Sequence, residues 1–445
     1  MKQSRGQWAS SLGFILAASG SAVGLGNIWK FPGKVASYGG GAFILCYVLI
    51  VALVGFPVML AEISIGRSTQ KNVVGAFRKL NRRWTFLGGI GVITLFVILS
   101  YYCIVGGWVL KYIQVYLTGA HFGVGETAYQ DYFVNFISKP IEPLLWGTLF
   151  LAMCVYVVVR GVSKGIERVS KFLMPCLFLI LLAIVIRSVT LPGAKEGLQY
   201  LFTVRPGTLN GNTLVGALGQ AFFSLSVGMG IMVTYGSYVP KRENLVKSAA
   251  FICTIDTMVA ILAGIAIVPV VFITLGAEGL GQMPGGIVFG CLFFMLLFLA
   301  ALTSAISVLE SCVAFLTEEF HMGRLKAIVV LTIPMAFLSA GYSLSQSEVR
   351  NLNLPWFDFA YGIQMLPMNA VLEKFTDNLM IPLGALGFCL FVGWVWGTKN
   401  ALHEIELDGR TFRFRRAWSF LIRFLAPAVI VLILYFTLGK GQGLS

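Results

Sequence analysis

Charge is scarce in this 445-residue chain, where Asp, Glu, Lys and Arg together make up 12% of residues. That is about half the share usual in soluble domains, and it excludes a water-soluble globular protein. Histidine is scarcer still. The three, at positions 121, 321 and 403, are scattered over loops and span edges with no metal or nucleophile spacing around them. An enzyme is therefore not expected. The eight cysteines (46, 103, 154, 176, 253, 291, 312 and 389) all fall within or beside apolar stretches. None forms a framework in a hydrophilic loop, so no disulfide scaffold is expected. The opening "MKQSRGQWASSLGF" has a basic head but no small-residue cleavage site before the first apolar stretch, which argues against a removable signal peptide.

Apolar length is what the chain has in abundance. Hydrophobic residues make up 57% of it and the mean hydropathy is +0.84, the signature of a polytopic membrane protein. Spanning windows fall at 10–37, 41–68, 86–115, 143–160, 166–188, 213–239, 245–273, 286–318, 325–343, 367–398 and 417–438, which predicts eleven helices. The net charge of +14 lies between these spans, so it reports topology and not a nucleic-acid partner. Arg67, Lys71, Arg78, Lys79, Arg82 and Arg83 follow the second span, and Arg160, Lys164, Arg168 and Lys171 the fourth. Lys241, Arg242 and Lys247 follow the sixth, Arg324 and Lys326 the eighth, and Lys399 and Arg410 to Arg423 the tenth. Every even-numbered exit is basic. The positive-inside rule then predicts an inner, cytoplasmic membrane protein with its amino terminus inside and its carboxy terminus outside.

Two spans carry residues that weaken a helix. "GSAVGLGNIWKFP" (20–32) places three glycines and Asn27 inside the first, and "LGQAFFSLSVGMGIMVTYGSY" (218–238) places Gly228 and Gly230 beside Ser224 and Ser226 in the sixth. Glycine also serves close helix packing in membranes. Interruptions at matching points of two successive five-helix blocks point further, to the binding site of a transporter built from inverted repeats. Unwinding frees carbonyls that can replace a cation's water and exposes amides for an anion. Such backbone is tolerated at membrane depth only when protein encloses it. The expected fold is all-α, with a 5+5 inverted-repeat core (7–188 and 213–398) and one additional helix at 417–438.

The stretches "GFILAASGSAVGLGNIWKFP", "GGGAFILCYVLIVALVGFPVMLAEISIGR" (39–67), "RGVSKGIERVSKFLMP" (160–175) and "FLAALTSAISVLE" (298–310) resemble a neurotransmitter:sodium symporter, and among those the bacterial amino-acid transporters. The resemblance runs from about residue 7 to residue 398. It implies sodium-driven uptake by alternating access, with one substrate and two Na+ sites midway through the membrane. By that resemblance the first sodium would be held by the Ala22 carbonyl, Asn27, Ser224 and Asp256. The second would be held by the carbonyls of Gly20, Val23 and Ala300 and the hydroxyls of Thr303 and Ser304. Both sets are all-oxygen, as a hard cation requires.

Asp256, in "FICTIDTMVAILAG", is a carboxylate inside a span, where a charge is costly unless it faces a cavity or a partner. An ungapped reading puts it at the family's asparagine ligand; a shift of one turn puts it where some bacterial members carry an acid in place of chloride, near Tyr47, Gln220 and Ser224. Either position implies transport that does not need chloride. Gly24 stands where monoamine carriers have an aspartate, so the substrate must bring its own carboxylate. It would meet the amides near Leu25 and Gly26 and the Tyr102 hydroxyl, with its amino group on carbonyls around Ala22, Phe223 and Ser226. Val23, Ile98, Phe223, Ser226, Met229, Ser304 and Val308 would then line a mostly apolar pocket without charge, suited to neutral, hydrophobic or aromatic amino acids. Met229 replaces a narrowing phenylalanine and leaves more room.

Lys30 with Glu373 matches the family's outer gate, and Arg5 with Glu318 the inner one, beside Trp8 and Tyr238. Two features depart from the pattern. The loop 271–287 is shorter than the usual outer cap and puts Leu280 where a phenylalanine normally closes over the substrate. The connection 343–367 is unusual, and its Asp358 has no assigned role. A channel would need a continuous polar stripe, where this chain has isolated islands. The remaining alternative is a sensor or non-cycling relative that keeps intact sodium and amino-acid sites. No feature fixes an oligomer.

Overall fold

The computed structural model describes residues 6–119, 128–274, 286–347, 352–358 and 362–439. Among these, nine helices are long and apolar enough to cross a membrane: Gly41–Thr69, Arg82–Thr118, Glu142–Val159, Val162–Val189, Leu245–Val271, Gly286–Glu319, Arg324–Leu344, Met368–Val395 and Arg415–Leu438. The first expected span is a tenth, broken into Ser11–Ala22 and Gly26–Ser37 with a bend of 52°. The sixth is divided into Gly211–Ser224 and Ile231–Gly236, neither long enough alone. The two breaks expected from glycine are therefore both present, each opening a block of five spans.

Their causes are local. At the first, Val23 adopts an extended conformation that ends the helix, and the backbone resumes within Gly26–Lys30. At the second, Gly228 and Gly230 hold φ of 87° and 80° and Ser226 holds 53°. A side chain disfavours this left-handed region. The six-residue half that follows lies directly against the second span. A Cβ on Gly236 would come within 2.6 Å of the Ile63 carbonyl oxygen, and one on Gly66 within 2.8 Å of the Ser237 nitrogen. Only glycine permits this backbone-to-backbone approach.

The long connection into the tenth span is not purely irregular. Strands β1 (Asn353–Asp358) and β2 (Gly362–Pro367) form an antiparallel hairpin, with Trp356 opposite Gln364 and Asp358 opposite Gly362. The all-α expectation did not include this hairpin, since neither "NLPWFD" nor "GIQMLP" alternates polar and apolar residues regularly and each carries a proline.

Candidate functional site

The two breaks and the seventh span meet at Asp256. Its Oδ1 accepts from Asn27 Nδ2 at 2.7 Å, while Oδ2 accepts from the Ser224 hydroxyl at 2.7 Å and the Tyr47 hydroxyl at 3.1 Å. Asn27 Nδ2 also reaches Ser224 Oγ at 2.8 Å and the Asp256 carbonyl at 3.2 Å. Gln220 Nε2 donates to the Gly26 carbonyl at 2.8 Å, and its Oε1 is buried without a partner among the described residues. Asp256 thus touches residues from both expected surroundings, Asn27 from the sodium set, Tyr47 from the chloride-equivalent set and Ser224 from both. All five side chains except Ser224 are fully buried, and Ser224 is nearly so.

The freed amides of the first break have partners. Gly24 N donates to Asn27 Oδ1 at 3.1 Å, and Leu25 N to the Tyr102 hydroxyl at 3.3 Å. The space beside Gly24 is narrow, since a Cβ there would lie 3.1 Å from the Tyr102 hydroxyl and 3.3 Å from Ser304. Ser226 Oγ donates to the Ser21 carbonyl at 3.0 Å, which ties the second break to the first. Val23, Ile98, Met229 and Val308 are buried in one hydrophobic cluster, with Phe223 half-buried at its edge. A Cβ on Gly26 would fall 2.7 Å from the Phe223 ring.

The second expected ion site lies on the opposite flank of the first break. A Cβ on Gly20 would come within 3.1 Å of Thr303 Cβ. Thr303 Oγ1 donates to the carbonyls of Leu299 and Ala300 at 3.0 and 3.1 Å. A hydroxyl whose proton is held by its own helix keeps its lone pairs for a cation. Carbonyl, hydroxyl, amide and carboxylate oxygens are what these residues offer, which fits a hard monovalent ion.

At the Lys30 end the gate partner is a correction. Lys30 Nζ pairs with Asp377 Oδ2 at 3.0 Å and not with Glu373. Glu373, one turn earlier in the same span, instead accepts from the Tyr342 hydroxyl at 2.7 Å. Lys30 also sits 4.3 Å above the Phe223 ring. The Tyr101 hydroxyl, within 3.0 Å of Thr376 Oγ1, also donates to Asp377 Oδ1 at 3.5 Å. Lys30, Lys34, Asp377, Phe222, Ile381 and Ile433 border a cavity over this pair.

At the other end, Arg5 lies outside the described residues, as do Leu280 and most of the loop 271–287. Glu318 accepts from Asn72 through its amide at 2.9 Å and its side chain at 3.1 Å. The Trp8 ring nitrogen donates to the Tyr235 carbonyl at 3.0 Å and the Trp8 amide to that of Tyr238 at 3.2 Å.

Three carboxylates were missed. Gly228 N donates to Glu62 Oε1 at 2.6 Å, so Glu62 caps the second break. Glu310 accepts from the Tyr238 hydroxyl at 3.0 Å and pairs with Arg324. Glu167 accepts from Ala9 N at 2.7 Å and Ser10 Oγ at 2.9 Å. A carboxylate within an apolar span was the available signal for Glu62 and Glu310, while Glu167 lies at a span edge among basic residues.

A model of the sodium:neurotransmitter symporter family matches residues 5–122, 140–279 and 268–444. The chain belongs to this family. As a family member it is a sodium-coupled secondary transporter and not an enzyme. The symporter is 37% identical over 450 residues to the uncharacterized sodium-dependent transporter YhdH of Bacillus subtilis, covering 96% of each chain. It is 31% identical over 464 residues to an uncharacterized sodium-dependent transporter of Haemophilus influenzae, covering 96% of this chain and 97% of that one. Its fold matches the crystal structure of MhsT in complex with L-phenylalanine with a TM-score of 0.87 at 39% identity, over 97% of the symporter and 99% of MhsT.

Proposed function

We propose that this symporter takes up neutral, hydrophobic or aromatic amino acids with sodium by alternating access, without a need for chloride. Its place would be the cytoplasmic membrane, amino terminus inside and carboxy terminus outside. The observation that carries the reading is the Asp256 carboxylate, bonded at once to Asn27, Ser224 and Tyr47. A fixed negative charge beside the first sodium does the work that a bound anion would otherwise do.

Ala22, Asn27, Ser224 and Asp256 would hold one sodium, and Gly20, Val23, Ala300, Thr303 and Ser304 the other. Asn27 turns its NH2 group toward Asp256 and Ser224. Rotated by half a turn, the same amide would offer its oxygen to a cation between them. Leu25, Gly26 and Tyr102 would receive the substrate carboxylate. The side chain would lie among Val23, Ile98, Phe223, Ser226, Met229, Ser304 and Val308, where an unmatched charge is costly. The phenylalanine complex of MhsT supports an aromatic or large aliphatic substrate.

The test is uptake of radiolabelled Trp, Phe, Tyr, Leu and Met into vesicles holding the purified protein, under a sodium gradient, with chloride or gluconate as the anion. Uptake equal in both anions, and abolished or made chloride-sensitive in Asp256→Asn, is the expected result. Wild-type uptake that falls in gluconate would overturn the chloride assignment. Binding without uptake would overturn the transport reading.

A further inference from the structure

The connection into the last span and the first turns of that span carry five arginines, at 410, 413, 415, 416 and 423, and none forms an ion pair with a carboxylate among the described residues. The acids around them are otherwise engaged. Glu404 pairs with Arg67 at 2.8 Å, Glu406 accepts from the Phe412 amide at 2.9 Å, and Asp408 accepts from Asn244 at 2.8 Å and the Arg410 amide at 3.1 Å. Arg410, Arg413, Arg415 and Arg416 are all exposed.

The segment that displays them is anchored. Phe412 and Trp418 are buried, and the Trp418 ring nitrogen donates to the Pro57 carbonyl at 3.2 Å. The aromatics that alternate with this anchor face the other way: Phe414, Phe420, Phe424 and Trp394 are all at least half exposed. Phe424 meets Trp394 edge-on at 5.6 Å, and the Phe420 ring at 5.6 Å. Arg423 lies between them. Its Nε donates to the Gly393 carbonyl at 3.0 Å, its guanidinium stands 5.8 Å from the Trp394 ring, and the Trp394 ring nitrogen donates to the Arg423 carbonyl at 3.4 Å. At 1.5 Å per residue it sits about 10 Å deeper than Arg416 along the helix.

A row of unpaired guanidinium groups at the mouth of a spanning helix, a further arginine one to two turns in, and outward rings around it suit a ligand with an anionic head and an apolar body. We propose that the start of the last span binds an anionic phospholipid. Arg413 and Arg416 take the phosphate, Arg423 reaches back toward the ester oxygens, and Phe420, Phe424 and Trp394 lie along the acyl chains. Planar guanidinium groups suit phosphate oxygens better than ammonium groups do.

The test compares thermal unfolding of the full chain in vesicles of phosphatidylcholine alone and in vesicles with added phosphatidylglycerol. Wild type should gain several degrees from phosphatidylglycerol. Arg416→Gln/Arg423→Gln should lose that gain while keeping its midpoint in phosphatidylcholine, and Arg416→Lys/Arg423→Lys should keep part of it. Inorganic phosphate added to phosphatidylcholine vesicles should leave the wild-type midpoint unchanged. The proposal fails if the glutamine variant gains as much as wild type, if wild type gains nothing, or if free phosphate reproduces the effect. Should the glutamine variant not fold, native mass spectrometry of wild type decides. Retention of phosphatidylglycerol over phosphatidylcholine supports the site, and equal retention overturns it.

Discussion

Gly24 and the gate carboxylates turn the site into sharp expectations for single side chains. A methyl at Gly24 would stand 3.1 Å from the Tyr102 hydroxyl and 3.3 Å from Ser304, tighter than ordinary contact, on the surface that would face a substrate carboxylate. Overpacking of this kind costs about 1–3 kcal/mol. Gly24→Ala should therefore weaken amino-acid binding roughly tenfold to a hundredfold while sodium-dependent stabilisation of the protein persists; equilibrium binding of labelled phenylalanine checks it. Where the outer gate is expected, Asp377 holds Lys30 directly and Glu373 does not. Asp377→Asn should lower uptake at least tenfold, about 1.4 kcal/mol or more, and Glu373→Gln should lower it far less. The reverse order in an uptake assay would restore the Glu373 pairing. The sequence could not separate these two acids because they lie four residues apart on one helix and present similar faces to the first span. Asp256 was legible for the opposite reason: a carboxylate in the middle of "FICTIDTMVAILAG" has no neighbour with which to be confused.

The breaks are properties of elements, and their glycines announced them. What the sequence did not announce is how the freed backbone of the sixth span is satisfied. Glu62 does so from the second span, accepting from Gly228 N at 2.6 Å. It sits in "VMLAEISIGR", inside a stretch that carries the family resemblance. Capping partners of this kind come from elements remote in sequence, so local pattern alone does not name them. Leaving buried amides without an acceptor costs about 1–3 kcal/mol for each group. Glu62→Ala should lower the thermal midpoint by an amount equivalent to roughly 2–4 kcal/mol, with Glu62→Gln intermediate. An unchanged midpoint for the alanine variant would mean that other groups cap the break. The hairpin of β1 and β2 was likewise hidden, since neither strand alternates polar and apolar residues regularly.

Across the whole molecule, the connection after the tenth span is tied to the bundle through Arg67. That guanidinium is fully buried; it pairs with Glu404 at 2.8 Å, reaches the Glu404 carbonyl, and donates to the Glu243 carbonyl at 2.6 Å. Breaking a buried pair by removing one partner costs about 3–5 kcal/mol. Arg67→Ala should therefore unfold at a markedly lower temperature, and Arg67→Lys should rescue little, because an ammonium cannot span the same acceptors. A calorimetric scan of both variants decides it. The sequence showed Arg67 as one more basic residue at an even-numbered exit, and topology alone gave no hint of burial.

The halves of the two broken spans that lie on the Trp8 side are fastened by different means. Ser11–Ala22 is fastened by hydrogen bonds at both ends: Trp8 on Tyr235, Ala9 and Ser10 on Glu167 and the Ser11 hydroxyl on Glu243 at 2.6 Å at its start, and Ser21 Oγ with Ser307 Oγ at 2.7 Å at its finish. Ile231–Gly236 is seated backbone against backbone on the second span through Gly66 and Gly236. A hydrogen bond can exchange its partner for water when a crevice opens, at modest net cost, but a close-packed seam has no substitute partner to trade with. The two halves are thus a door and a door-frame. If the molecule opens on this side, the panel that swings carries the Gly20, Ala22 and Val23 carbonyls away, while Ser224, on the other half of the sixth span, and Asp256, on the seventh, stay behind. Both expected ion cages would then be cut along one line, in a single movement.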